Sequence, residues 1–242
     1  ASTLSQTLDA AEWTPCLKES FENISRIKTF DIAFTGPISD GKSRVAFDGE
    51  KWLIESDKEI LKTVLSSKAH EELRSGNSYA SVAGDFSNAN SKYMYPIKDV
   101  YFWLGLKSKT PLTFADLQNK ERWDATIAAL QSKGEDTLDG KPCEVYLLSN
   151  GTLDVTIWFS RPDHGLPIQF HVENNKLKQP IKTTVTKVAT FDDKISLPQS
   201  ISIDGPYGKK QCELSVEESS INSKIDPDTF NIVRPAKAVK TP

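Results

Sequence analysis

The residue types able to carry acid–base, nucleophilic or metal chemistry are few in this chain and widely spread. Its three histidines are His70, His164 and His171. A metal site wants two imidazoles four apart on a helix, or close together on alternating strand positions. His164 and His171 are seven apart and read as opposite ends of one strand. The three cysteines, Cys16, Cys143 and Cys212, have none of the close spacings of a zinc or redox site. Cys143 and Cys212 both lie in strand-like segments and could pair if those strands are neighbours; the other reading is three isolated, partly buried thiols. No Gly-x-Ser-x-Gly elbow, phosphate loop or dinucleotide fingerprint occurs. The acidic clusters Asp136/Asp139, Asp192/Asp193 and Asp226/Asp228 coincide with turn signals, where an aspartate caps its own backbone. A carboxylate pair of the glycosidase type needs no sequence proximity and stays open. Asn23-Ile24-Ser25 and Asn150-Gly151-Thr152 match the glycosylation triplet, as many chance triplets do. The reading is a protein without catalytic residues, metal or cofactor.

Composition narrows the class further. The 242 residues suffice to bury a core without staples, and 38% are hydrophobic. A net charge of −3, with 30 basic residues scattered among 33 acidic ones, disfavours a nucleic-acid binder. No apolar run approaches the ~18 residues of a spanning helix. The opening Ala1-Ser2-Thr3 is what removal of a signal peptide or a lipobox leaves, and what a shortened chain leaves as well; with a signal segment taken as removed, the expected location is periplasmic or otherwise extracytoplasmic.

The elements follow from periodicity. Leu4, Leu8, Ala11, Leu17, Phe21 and Ile24 recur at helical spacing and predict a helix over 4–27, kinked or split by Pro15. From Phe30 the spacing becomes strand-like, and Asp48-Gly49 between two apolar runs predicts a hairpin. Ile60, Leu61, Val64, Leu65, Ala69 and Leu73 return to helical spacing, predicting a helical insert over 57–75 with Gly76 as its stop. Residues 78–96 read as a loose polar region, followed by the apolar patch 100–104. Thr113 is the expected N-cap of a short helix with Asp116 in its first turn, and 123–130 is ambiguous between helix and strand. A β meander is expected over 134–233, with turns at Asp139-Gly140, Asn150-Gly151, Asp163-His164-Gly165, Asp192-Asp193 and Gly205-Pro206-Tyr207-Gly208, and a short last strand within 225–232. Such short connections permit only antiparallel pairing. No linker divides the chain, so 1–242 reads as one domain.

The bulky apolar residues of the strands give the positive signal. Phe34, Trp52, Ile54, Trp158 and Phe170 lie in strands, and Trp103 in the apolar patch. Val155, Ile157 and Phe159 share one face while Trp158 takes the other, so bulk falls on both. A strand of this kind is covered on both sides or faces a cavity on one.

The segment Gly134-Glu135, then Gly140-Lys141-Pro142-Cys143, then Leu148 resembles a strand pair of the outer-membrane lipoprotein carrier family, the LolA/LolB-like fold. Leu166-Pro167 after the strand Val155–Ser160 resembles its next hairpin, and Asn222, Ile225, Asp226 and Phe230 its closing segment. The resemblance covers the C-terminal half well and the N-terminal half in outline. It implies an α+β fold: a highly curved, mostly antiparallel sheet, an unclosed barrel, with helices covering the concave face. Arg44 lies where the carriers have a lid-closing arginine, but its Ser-Arg-Val-Ala-Phe context departs from their pattern, so that role is not carried over.

The implied function is non-enzymatic binding of an apolar ligand, a lipid acyl chain or lipoprotein, in the concave face of the half-barrel. Phe34, Trp52, Ile54, Trp103, Trp158 and Phe170 are the expected cavity lining, and Leu61, Val64 and Leu65 the expected lid contacts. The rivals are an envelope-stress or regulatory sensor domain that binds a protein partner or peptide, and an envelope polymer hydrolase.

Overall fold

The structure, a computed structural model, describes residues 12–36, 41–57, 60–76, 78–92, 94–108, 112–174, 180–205 and 210–234. The predicted residues 4–11, the turn at 206–208 and the tail from 235 lie outside them. In chain order the elements are α1 (Pro15–Ser25), β1 (Phe30–Gly36), β2 (Gly41–Phe47), β3 (Trp52–Ser56), β4 (Ile60–Leu65), β5 (Ala69–Arg74) and β6 (Ser78–Ala83). There follow α2 (Pro96–Tyr101), α3 (Phe114–Leu117), α4 (Lys120–Ile127), β7 (Gln131–Leu138), β8 (Lys141–Ser149), β9 (Leu153–Ser160), β10 (Leu166–Asn174), β11 (Ile181–Phe191), β12 (Ile195–Asp204) and β13 (Lys210–Ile221). Three 3-10 turns, Ala89–Lys92, Phe102–Gly105 and Pro227–Phe230, complete the set.

All thirteen strands form one antiparallel sheet in the order β6-β5-β4-β3-β2-β1-β13-β12-β11-β10-β9-β8-β7. The two halves of the chain join where β1 pairs with β13, and β6 and β7 remain as edges. The sheet is thus a curved, unclosed barrel, and short helices lie on its concave face. There α1 packs on β9, β10 and β12, and α2 on β10 and β12.

Register shows which side chains face the helices. Phe30, Phe47, Trp52 and Leu65 form one row across β1 to β4, and Ile32, Val45, Ile54 and Thr63 the next. Phe30, Phe47 and Trp52 meet Tyr95 and Phe114 from the helical side, with ring centroids 4.5–5.9 Å apart. Among the described residues this end of the concavity is filled by the chain's own aromatics.

The outer face carries a second, smaller core. Ala46, Leu53 and Val64 are buried there beneath Phe230, with Ile225 and Ile232 against them. Lys62 Nζ donates to Thr229 O (2.9 Å), fixing this C-terminal strap to β4. Residues 225–232 hold the 3-10 turn Pro227–Phe230 in place of the expected short strand. Asp226 caps that turn by accepting from Asp228 N, and Pro227 opens it with no amide to offer a sheet.

Two helical expectations need correction. Residues 57–75 are not a helix: β4 and β5 occupy them, joined at Ser66, whose Oγ accepts from the amides of Lys68 (3.2 Å) and Ala69 (3.1 Å). Since β4 is covered on both faces, consecutive residues are apolar, and the alternation that signals a strand is lost. Pro15 does not kink α1. It is the first helical residue, where a missing amide costs nothing, and Thr14 is the N-cap, its Oγ1 accepting from Leu17 N (3.3 Å).

Candidate ligand-binding cleft

The helical cover over the far half of the sheet is built from short pieces with explicit local signals. Pro96 opens α2. Thr113 is the N-cap of α3 as expected, and with Asp116 it forms a reciprocal capping box. Asn119 caps α4 by accepting from the amides of Glu121 and Arg122, resolving the ambiguous segment as a helix ending at Ile127 before β7. Thr126 Oγ1 donates to Leu104 O (3.2 Å), tying α4 to the 102–105 turn.

Between these pieces a cleft of about 120 Å³ remains. Leu104, Leu112, Ala125 and Ala129 form its walls, Leu148 of β8 its sheet side, and Lys107 and Arg122 its charged members. Small residues keep it open. A Cβ on Gly105 would sit 2.5 Å from Leu112 Cδ1, so this wall has no room for a larger residue. None of the lining residues expected from the sequence borders this cleft; its signal was the Ala128-Ala129-Leu130 helical propensity beside the capped Thr113.

The expected lining residues have separate fates. Phe34 (4% exposed), Trp52 and Phe170 are buried in the main core, with Ile54 partly buried against it. Trp103 is half-buried at the edge of the helical cover, its ring 5.2 Å from the exposed Phe102. Trp158 faces outward: its Nε1 donates to Asp136 Oδ2 (3.0 Å) and its ring lies 5.3 Å from His171. The parity that puts Ile157 and Phe159 in the core forces this. The expected lid residues are strand residues. Leu65 is fully buried toward the helices and Val64 is buried on the opposite, outer face; Leu61 belongs to β4, its side chain outside the description.

Several polar groups elsewhere are bonded to one another. Glu144 accepts from Thr14 Oγ1 (2.5 Å), Tyr146 OH (2.7 Å) and Arg161 (3.2 Å), and Arg161 also bonds Glu135, the cross-strand partner of Glu144. This buried carboxylate pins the start of α1 to β8. Burial, with Glu144 adding to it, pushes the Cys16 thiol up to about 12, which keeps it protonated and unreactive. Cys143 is a free thiol, and four strands separate its β8 from the β13 of Cys212, so the conditional pairing of these two does not arise. The histidines stay apart: His70 Nε2 lies 2.9 Å from Glu72 Oε1, and His164 Nδ1 2.9 Å from Ser196 Oγ. Among the described residues no group of three metal-ligating side chains occurs. No helix among them is long and apolar enough to cross a membrane. On the outer face Arg44 is held by Asp31 (2.6 and 2.8 Å) and Glu55 (3.4 Å).

No protein-family model matches the chain, and no curated protein does either. Solved structures do. A DUF1329 family protein from Desulfovibrio piger superposes with a TM-score of 0.52 at 11% identity, over 92% of this chain and 98% of its own. A LolA superfamily protein from Nitrosomonas europaea gives 0.47 at 10% identity, over 91% of this chain and 99% of its own. A putative outer membrane lipoprotein-sorting protein domain from Vibrio parahaemolyticus gives 0.45 at 12%, over 89% and 95%. At these identities the likeness is one of fold.

Proposed function

We propose that this chain is a non-enzymatic protein of the cell envelope that binds an apolar ligand, the acyl chain of a lipid or lipoprotein, between its sheet and its helical cover. The supporting observation is the cleft between Leu148 and the Leu104–Ala129 cover, an apolar opening on the concave side that the chain's own side chains leave vacant. Each buried methylene gains about 0.8 kcal/mol. The cleft takes a few methylenes as it stands, and a longer chain gains enough to displace the short, separately capped pieces of the cover. The aromatic cluster around Trp52 is close-packed and acts as the fixed end of the hollow.

The test is uptake by delipidated protein of Nile red, an uncharged reporter, and its displacement by fatty acids of increasing length. Affinity rises with chain length in wild type, and Ala129→Trp, which fills the cleft from the α4 side, weakens it at unchanged thermal stability. Absence of uptake by folded wild-type protein refutes the proposal.

A further inference from the structure

Among the described residues the charged members of the cleft are both cations. Arg122 Nε stands 3.3 Å from Asp116 Oδ1, and the other Asp116 oxygen already accepts from the Thr113 amide and hydroxyl (both 2.9 Å). Asp116 therefore spends its charge on the α3 cap and on one edge of the guanidinium. Among the described residues the two terminal nitrogens of Arg122 have no hydrogen-bond partner, and the side chain is half exposed. Lys107 is exposed and has no ion-pair partner among the described residues. Lys107 and Arg122 are thus two available cations beside an apolar cleft.

We infer that the cleft selects amphiphiles with an anionic headgroup, a carboxylate or phosphate held by Lys107 and Arg122, with the tail running toward Leu148. This rests on the proposed function and adds the ligand's charge and orientation. The planar fork of an arginine matches the oxygens of either group and the lysine adds a point charge. Leu104, Leu112 and Ala129 give the first methylenes below the headgroup an apolar wall. Because both cations meet solvent, their contribution is screened by salt.

The experiment displaces Nile red from the full chain with dodecanoate, dodecyl phosphate and uncharged monolauroylglycerol. The expected result is that the two anions compete about tenfold better than the neutral lipid, with an advantage that shrinks as salt rises. Their relative order tells a fatty-acid carboxylate from a phosphate headgroup. In the double variant Lys107→Gln/Arg122→Gln the anions fall to the level of the neutral lipid, whose own affinity is unchanged. Both residues are exposed, and a thermal melt confirms the fold. If monolauroylglycerol competes as well as the anions, or the variant weakens all three alike, the inference fails and the proposed function stands. If none of the three displaces the reporter, both fail.

Discussion

The side-chain amide of Asn23 pairs with the backbone of Ser196 as a neighbouring strand would: its Nδ2 donates to Ser196 O (2.8 Å) and its Oδ1 accepts from Ser196 N (2.7 Å). Asn23 is fully buried, and Nδ2 also reaches the hydroxyl of Tyr101 (3.3 Å). One residue thus stitches α1 to β12 and touches α2, completing polar groups that no strand pairs. The same burial takes its glycosylation triplet out of reach of modification. Asn23→Ala leaves the Ser196 amide and carbonyl without partners away from water, at a cost of about 2–4 kcal/mol in urea unfolding. Asn23→Asp, which keeps the shape but loses the donor, is expected to cost at least as much.

Gly165, in the turn between β9 and β10, lies close against the backbone of α1. Its φ is +66°, and a Cβ there would lie 2.3 Å from Cys16 O and 2.5 Å from Ser20 N. Both contacts are backbone, so no side chain can move aside. Gly140 has a φ of +79° with open space around it. Gly140→Ala therefore reports conformational strain alone, about 1 kcal/mol, whereas Gly165→Ala is expected to cost several-fold more or to prevent folding. Equal losses in the two unfolding curves would contradict the close approach.

The same glycines explain why the C-terminal half was legible. Asp139-Gly140, Asn150-Gly151, His164-Gly165 and Asp192-Asp193 all carry residues at positive φ, as tight connections between right-twisted strands require. Turn chemistry is local, so a single sequence states it. The hairpin joining β4 and β5 bends through Ser66, Ser67 and Lys68, none of them a glycine or asparagine. What makes Val64 and Leu65 both apolar is a strap some 165 residues downstream on one side and the helical cover on the other, and a window of local sequence contains neither. The cleft was missed for a related reason. Leu104, Ala129 and Leu148 meet only through tertiary packing, whereas large aromatics such as Trp52 and Phe170 attracted the lining role because they are bulky, and bulk fills hollows.

Asp99 on α2 is the clearest titrating group of the cover. Burial raises its pKa to about 7, with the adjacent Lys98 pulling the other way. The unfolded chain releases this proton near pH 3.9, so between roughly pH 4 and 7 the folded state holds a proton that the unfolded state has lost. Stability from this site is therefore greatest below pH 4, declines as pH rises to 7, and is flat above. Asp99→Asn removes the decline. The variant is expected to match wild type near pH 4 and to exceed it at pH 8 by on the order of 2–4 kcal/mol. Chemical denaturation at the two pH values checks both the sign and the window.

Phe230 tests the assignment of the two faces. Its ring closes the outer core over Ala46, Leu53 and Val64, across the sheet from the row that includes Trp52 and Leu65. Phe230→Ala leaves a cavity there and is expected to cost about 3–5 kcal/mol. The cleft at Leu148 lies on β8, at the other end of the sheet from β2–β4, and shares no residue with this core. Amphiphile affinity should therefore stay at the wild-type value at temperatures where the variant remains folded. A loss of binding in step with the loss of stability would mean that the strap and the helical cover move together, and that Val64 acts on the ligand from the far side of the sheet.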